Sequence, residues 1–319
     1  MTVPSPSPAI RLPRARRITW PFLPPELRAE IGERCGSPVV SEESCELGFT
    51  PGFAAVLTCE DGTRHFVKAA SAKAQRGSAL SYRAEIAVLK SLHPSLPVPR
   101  LQWSIDGDWV ALSTSYAGGR APSLPWDAVE LAACLDALEE AASLLTPSPV
   151  SAGPVAQEFA AWPSYWGWVL PREHLDEAAA LAAGFAAHCS GETLVHGDVR
   201  ADNLLLFDAG LNGAPRAEVL DWTWPAEGAA WLDTVTLLAL ARSQGASGVD
   251  DLLATRALTR DVPAEAIDSW LALLAGYFLK SASDQVPAAA PHLRGHQAIA
   301  GEAFWDWLCA RRGWLPQES

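Results

Sequence analysis

Apolar and polar residues recur with two different periods along this chain, and the change of period divides it. Between about 39 and 70 the pattern is strand-like: Val39 to Leu47, then Phe53 to Cys59, then Arg64-His65-Phe66-Val67-Lys68. The Glu60-Asp61-Gly62-Thr63 run joining the last two carries turn chemistry, which predicts a β-hairpin. Leu80, Ile86, Leu89 and Leu92 follow near helical spacing over 79–92, and Pro97 and Pro99 end that segment. Two more strands, about 100–105 and 109–115, flank Asp106-Gly107-Asp108. A short helix over 24–34, with Pro24 and Pro25 at its start and Gly36 beyond its end, precedes them all. Past Gly118-Gly119 and Pro122 the period lengthens, predicting helices over 125–145, 174–189, 229–243 and 263–281. In the last of these Ile267, Trp270, Leu271, Leu274, Tyr277 and Phe278 form one apolar stripe, and a C-terminal segment, about 296–312, groups Phe304, Trp307 and Leu308. The expected fold is α+β: a flexible arm over 1–17, a small β-rich lobe over 18–117 and a larger, mainly helical lobe over 118–319.

Composition adds bounds. With 319 residues, 49% of them apolar, the chain can bury a large core as one two-lobed unit. No apolar run reaches the roughly 18 residues that cross a bilayer. The Pro/Ser-rich, then basic N-terminus lacks the apolar centre of a signal peptide. Six scattered cysteines with no Cys-x-x-Cys pair predict reduced, mostly buried thiols in the cytoplasm. The net charge of −13 is uneven: residues 1–121 hold 14 basic and 11 acidic side chains, residues 122–319 hold 10 and 26. An acidic surface of that size disfavours nucleic acid. It would attract a cationic small molecule, and it serves solubility equally well.

The candidate chemistry centres on Leu194-Val195-His196-Gly197-Asp198-Val199-Arg200-Ala201-Asp202-Asn203, followed by the apolar Leu204 to Phe207. Asp198 sits on a loop, where a carboxylate can orient or deprotonate an attacking hydroxyl. Asn203 and, after the apolar Glu218-Val219-Leu220, Asp221 are hard oxygen ligands suited to Mg²⁺ held against phosphates. Each alone reads as a turn or strand-end residue; the joint spacing is what points to phosphoryl transfer. Arg200 could neutralise charge on the transferring group. Lys68, at the end of a strand, could reach the α- and β-phosphates and be held by Glu85 on the next helix. Gly48 and Gly52 could let backbone amides approach phosphates, though turns of this kind are commonly only turns. Asp233 is expected to cap amides of the loop carrying Asp198.

These residues resemble the aminoglycoside phosphotransferase family, a branch of the protein-kinase-like fold, over about residues 38 to 312. The specific part is His196-Gly197-Asp198 through Asn203 with Leu220-Asp221-Trp222. The resemblance implies that Asp198 is the catalytic base and that Asn203 and Asp221 bind Mg²⁺. It implies too that Lys68 with Glu85 orders the triphosphate of ATP or GTP. Ser113 to Ala117 would be the hinge meeting the nucleotide base, with Ser115, Tyr116 and Ala117 as its contacts, and His196 would hold the loop. Gly-x-Gly-x-x-Gly, His-Arg-Asp, Asp-Phe-Gly and Ala-Pro-Glu are absent, which argues against a protein substrate. The implied activity is O-phosphorylation of a small molecule carrying a free hydroxyl, an antibiotic or related natural product. A choline-, homoserine- or sugar-type metabolic kinase, or a nucleotide-binding pseudokinase, is the alternative. Two segments could meet the acceptor: Trp162, Tyr165, Trp166 and Trp168 as a flat wall or as core, and His292 to Gln297 as a basic patch or an interhelical loop.

Overall fold

The computed structural model describes residues 17–45, 52–116, 118–208, 213 and 215–314. The first helix, α1 (Pro25–Cys35), starts on a proline whose missing N–H costs nothing at a helix N-terminus. It stops at Gly36, which takes φ +80 as a left-handed cap. Strands β1 (Val39–Ser44), β2 (Phe53–Cys59) and β3 (Arg64–Ser71) follow, then α2 (Arg76–Ser91), β4 (Leu101–Asp106) and β5 (Trp109–Ser115). All five strands join one antiparallel sheet in the order β1-β2-β3-β5-β4.

Side chains alternate across a strand, so this sheet has two different faces. Phe53, Ala55, Leu57 and Cys59 of β2, with Val67 and Ala69 of β3, pack on Leu27, Ile31 and Cys35 of α1. Ala70, Val110 and Leu112 point the other way, onto Ala79, Tyr82 and Ile86 of α2. Lys68 shares this second face, in the central strand, paired in register with Ala54 and Leu112. The alternation in the sequence therefore decides that the lysine faces α2.

The chain leaves the sheet through Arg120, which exchanges backbone hydrogen bonds with Leu206 (2.9 and 2.7 Å) and sets its guanidinium on Glu130 (2.6 Å). Helix α3 (Ala128–Leu144) begins at Asp127, whose carboxylate accepts from the Val129 and Glu130 amides, an N-cap dictated by sequence. Then come α4 (Val155–Glu158), a 3₁₀ turn (Trp162–Trp168), α5 (Leu175–Ala183), α6 (Phe185–Cys189) and β6 (Thr193–Val195). Strands β7 (Leu204–Phe207), β8 (Arg216–Val219) and β9 (Ala226–Gly228) lead to α7 (Leu232–Ser243), α8 (Val249–Thr255), α9 (Ala264–Ala282) and α10 (Leu293–Arg312). Strand β6 pairs with β9 and β7 with β8, both antiparallel.

Helix α9 is buried nearly all round, because Ala272, Leu273 and Ala275 are covered as well as the expected stripe. A helix apolar on every side belongs inside the core rather than on its surface. Gly276 is part of that packing: a Cβ there would fall 2.6 Å from the indole nitrogen of Trp166, which donates to the Ala272 carbonyl. The helix predicted over 174–189 is divided at Gly184 into α5 and α6. Helix α10 starts at Leu293, three residues before the predicted segment, and takes in most of the stretch read as a possible loop. The short α4 and α8 and the 3₁₀ turn carry too few periodic positions to stand out in sequence. Among the described residues no helix is long and apolar enough to cross a membrane.

Candidate active site

The loop after β6 is held by three interactions. Gly197 has φ +76, and a Cβ there would meet the Trp224 carbonyl oxygen at 2.5 Å, so glycine alone fits. Asp233, in the first turn of α7, accepts from the backbone amides of His196 (2.7 Å) and Gly197 (3.1 Å), the capping expected of it. Burial raises the Asp233 pKa, against the pull of those hydrogen bonds. His196 is fully buried, with Nε2 2.7 Å from the Leu220 carbonyl and the Asp198 amide 3.2 Å from Nδ1. A carbonyl only accepts and an amide only donates, which fixes the ring as the neutral Nε2–H tautomer. His196 thereby ties the backbone of Asp198 to the residue preceding Asp221.

Asn203 closes the loop at the start of β7. Its Nδ2 donates to the Asp198 carbonyl (2.8 Å) and to Asp198 Oδ2 (3.2 Å), so its oxygen keeps its lone pairs for another partner. Asp221 follows β8 with φ +66, a left-handed conformation that Asp tolerates better than most residues. Its Oδ1 accepts from Lys68 Nζ at 2.7 Å, and the same ammonium meets both Glu85 oxygens at 2.8 and 2.9 Å. A lysine in β3, a glutamate in α2 and an aspartate after β8 thus meet at one point.

The electrostatics follow from burial. Desolvation works to lower the Lys68 pKa, but Asp221 and Glu85 outweigh it and hold the ammonium charged. Burial raises Asp221, yet Lys68 prevails and keeps its carboxyl below the ordinary range. Glu85 is pushed up, first by burial and further by Asp221, with Lys68 opposing. Asp198 is also raised by burial, against the nearby charge of Arg200. Asp221 below the ordinary range, with Glu85 and Asp198 above it, makes unlike carboxyl groups within one site.

A cavity of about 340 Å³ opens between the sheet and the helical part. Ala54, Val56, Phe66, Leu205 and Leu220 give it apolar walls, while Lys68, Glu85, Asn203 and Asp221 stand at its polar end. Ser115 and Tyr116 line it too. The Ser115 amide donates to the Arg100 carbonyl (2.8 Å) and is therefore spent within the sheet. Gly52 is not among the lining residues and packs against Ala69 and Tyr82. Gly48 and Ala117 lie outside the described residues, as does the predicted arm apart from Arg17, which lines the cavity.

Arg200 reaches Asp202 (3.0 Å) and Asp198 (3.5 Å), and its NH1 lies 3.4 Å from His296 Nε2 in the second turn of α10. The basic stretch at the start of α10 therefore meets the Asp198 loop, a link that the sequence reading leaves undecided. Tyr277 of α9 also stands near enough for Asp198 to raise its pKa, after the larger effect of burial. Trp162 stacks on Tyr277 (3.8 Å) and Phe159 stacks on Trp162 (4.2 Å). Lys280 lies 5.2 Å over the Tyr165 ring. Trp166 is core, and Trp168 is 74% exposed. The predicted tryptophan cluster thus splits between an aromatic stack, the core and the surface. Tyr277 was legible only as one member of an apolar stripe.

No protein-family model and no curated protein matches the sequence. Solved structures do match. Aminoglycoside phosphotransferase APH(4)-Ia, as a thermostable mutant, superposes with a TM-score of 0.57 at 16% identity over 91% of this chain and 100% of its own. Choline kinase LicA from Streptococcus pneumoniae gives 0.59 at 12% identity, covering 88% and 99%. Amicoumacin kinase hAmiN, in complex with AMP-PNP, gives 0.51 at 11% identity, covering 88% and 96%. The chain has the two-lobed fold shared by aminoglycoside phosphotransferases and related small-molecule kinases.

Proposed function

We propose that this protein is a cytoplasmic, Mg²⁺-dependent O-phosphotransferase that moves the γ-phosphoryl group of ATP or GTP onto a hydroxyl of an antibiotic or related natural product. The observation that carries the reading is the meeting of Lys68, Glu85, Asp221 and Asn203 at the polar end of one cavity with apolar walls, with Asp198 hydrogen-bonded to Asn203 beside it. A purine would lie between Val56 and Leu205, near Ser115 and Tyr116, with its phosphates running toward Lys68.

The donor set fits Mg²⁺. Asp221 offers a charged oxygen and Asn203 a neutral oxygen whose amide protons are already spent on Asp198. Bound there with the triphosphate, the metal would neutralise charge on the β- and γ-phosphates. Lys68, kept charged by its two carboxylates, would anchor the phosphates. Asp198 would accept the acceptor hydroxyl's proton; its raised basicity brings it nearer the working pH than an ordinary aspartate. Arg200 would stabilise charge on the phosphoryl group in transit.

The acceptor reading rests on the surroundings of Asp198. The Trp162–Tyr277 stack gives a flat aromatic surface with Tyr277 within electrostatic reach of Asp198, Lys280 lies over the neighbouring Tyr165 ring, and Arg200 joins Asp198 to His296. Fold relatives crystallised with hygromycin B, with spectinomycin and with amicoumacin bound support a natural product. Incubating the protein with Mg·ATP or Mg·GTP and a panel of hydroxyl-bearing antibiotics should yield one phosphorylated product, seen as a mass gain of one phosphoryl group. If choline, homoserine or sugars alone react, the acceptor assignment fails. If nucleotide binds and no acceptor consumes it, the chain is a pseudokinase.

Arg200 lowers the Asp198 pKa, so its loss has a pH signature. Arg200→Met should move the acid limb of kcat/KM to higher pH, because the base then protonates more readily. An unmoved limb with unchanged kcat would remove Arg200 from the site.

A further inference from the structure

The face of the sheet turned away from the cavity carries a second cluster. Cys35 ends α1, Cys59 ends β2 and His65 lies in β3, all three buried. Their ligand atoms lie within 4.8 Å of one another. Sequence spacing hides the group, since α1 and the hairpin must fold together before the three side chains meet.

Hydrogen bonding orients the His65 ring. Ser113 Oγ donates to Gln102 Oε1 at 2.9 Å, and His65 Nδ1 lies 2.8 Å from the same oxygen. An amide oxygen accepts, so Nδ1 carries a proton and Nε2 is the nitrogen left to face a metal. The Thr63 hydroxyl is 3.3 Å from Nε2, a long contact. An imidazole whose far nitrogen donates to a fixed amide oxygen is the arrangement that orients metal-binding histidines. A second donor stands nearby: Trp103 Nε1 is buried without a hydrogen-bond partner among the described residues. It lies beside the Cys35 sulfur.

We propose that Cys35, Cys59 and His65 form a structural site for a soft divalent cation of the zinc class, which staples the C-terminus of α1 to the β2–β3 hairpin. On binding, each thiol releases its proton to solvent and forms a metal–sulfur bond, while Nε2 supplies the third ligand. Two thiolates and one divalent ion sum to zero charge, which is what a buried site tolerates. Ligands of a tetrahedral zinc stand about 3.5–3.8 Å apart, so shifts of roughly half an ångström close the site. Water completes the fourth position.

The test is metal analysis of the full-length protein, purified under reducing conditions without a metal-affinity tag and reconstituted with Zn²⁺. About one zinc per chain is expected, falling below about one tenth in Cys35→Ser, with Zn²⁺ raising the Tm of the parent alone. Gln102→Ala should keep the metal but weaken it about 10–100-fold, as loss of an orienting partner does. Co²⁺ reconstitution of the unaltered protein, read by the visible absorption of a tetrahedral cobalt thiolate, gives the answer even if a variant fails to fold. Less than about one tenth equivalent of zinc, stoichiometry unchanged in Cys35→Ser, no cobalt thiolate band, or isolation as a Cys35–Cys59 disulfide would each overturn the proposal.

Discussion

Asp198→Asn is expected to lower kcat by about 10²–10⁴, the range for losing a positioned general base. The exchange keeps shape and removes charge. Asn203 would still donate to the backbone carbonyl at residue 198, and the His196 and Asp233 bonds that hold the loop involve backbone groups. Nucleotide affinity should stay within a few-fold of the parent, because Lys68, Glu85 and Asp221 do not depend on this side chain for their mutual contacts. In the parent, kcat/KM should fall as pH drops through the Asp198 pKa. Burial lifts that limb above the ordinary carboxylate value of about 3.9. Steady-state kinetics over pH, with calorimetry of Mg·nucleotide binding, checks both halves. A variant that keeps parental kcat would remove Asp198 from the role of base.

How much of this site could be read in the sequence depends on how local each part is. Asp198, Asn203 and Asp221 are positioned by short loops beside paired strands, and the His-Gly-Asp run announces them. Lys68 was legible because strand alternation fixes its face, and Glu85 because the next helix must cover that face. The proposed acceptor side was legible only as two segments whose role stayed open. His296 reaches Arg200 and Tyr277 reaches the surroundings of Asp198 only through the packing of α9, α10 and the 3₁₀ turn. In sequence those residues are one position in a basic stretch and one in an apolar stripe. The cysteine–histidine cluster was silent for the same reason, since its members lie on three elements. Helix boundaries failed where glycine acted against periodicity: Gly184 broke a predicted helix, while Gly295 sits inside α10 without ending it.

Asp221→Asn should have the largest effect on nucleotide handling and a small one on folding. Asparagine accepts the left-handed backbone at this position, so φ +66 adds no new strain. In the parent, two carboxylates share one buried ammonium, and Asp221 is part of what pushes Glu85 up. Removing one of them leaves Lys68 paired with Glu85 rather than stranded. The usual cost of breaking a buried pair, about 3–5 kcal/mol, arises when the remaining charge has no partner. The Tm of the free protein should therefore shift by only a few degrees. Binding is another matter. On the proposed reading, loss of the charged metal ligand would leave Asn203 with a second neutral oxygen, without the charge that would draw Mg²⁺ to the phosphates. We expect kcat/KM for nucleotide to fall by about 10²–10³, the scale for removing a group aimed at developing charge. Thermal unfolding separates the two consequences. Saturating Mg·nucleotide at 100 times Kd should stabilise the parent, and equally Asp198→Asn, by about 2.7 kcal/mol, whereas Asp221→Asn should gain almost nothing at the same concentration. Equal stabilisation of all three proteins would mean that Asp221 does not hold the metal, and the phosphates would need another anchor beside Lys68.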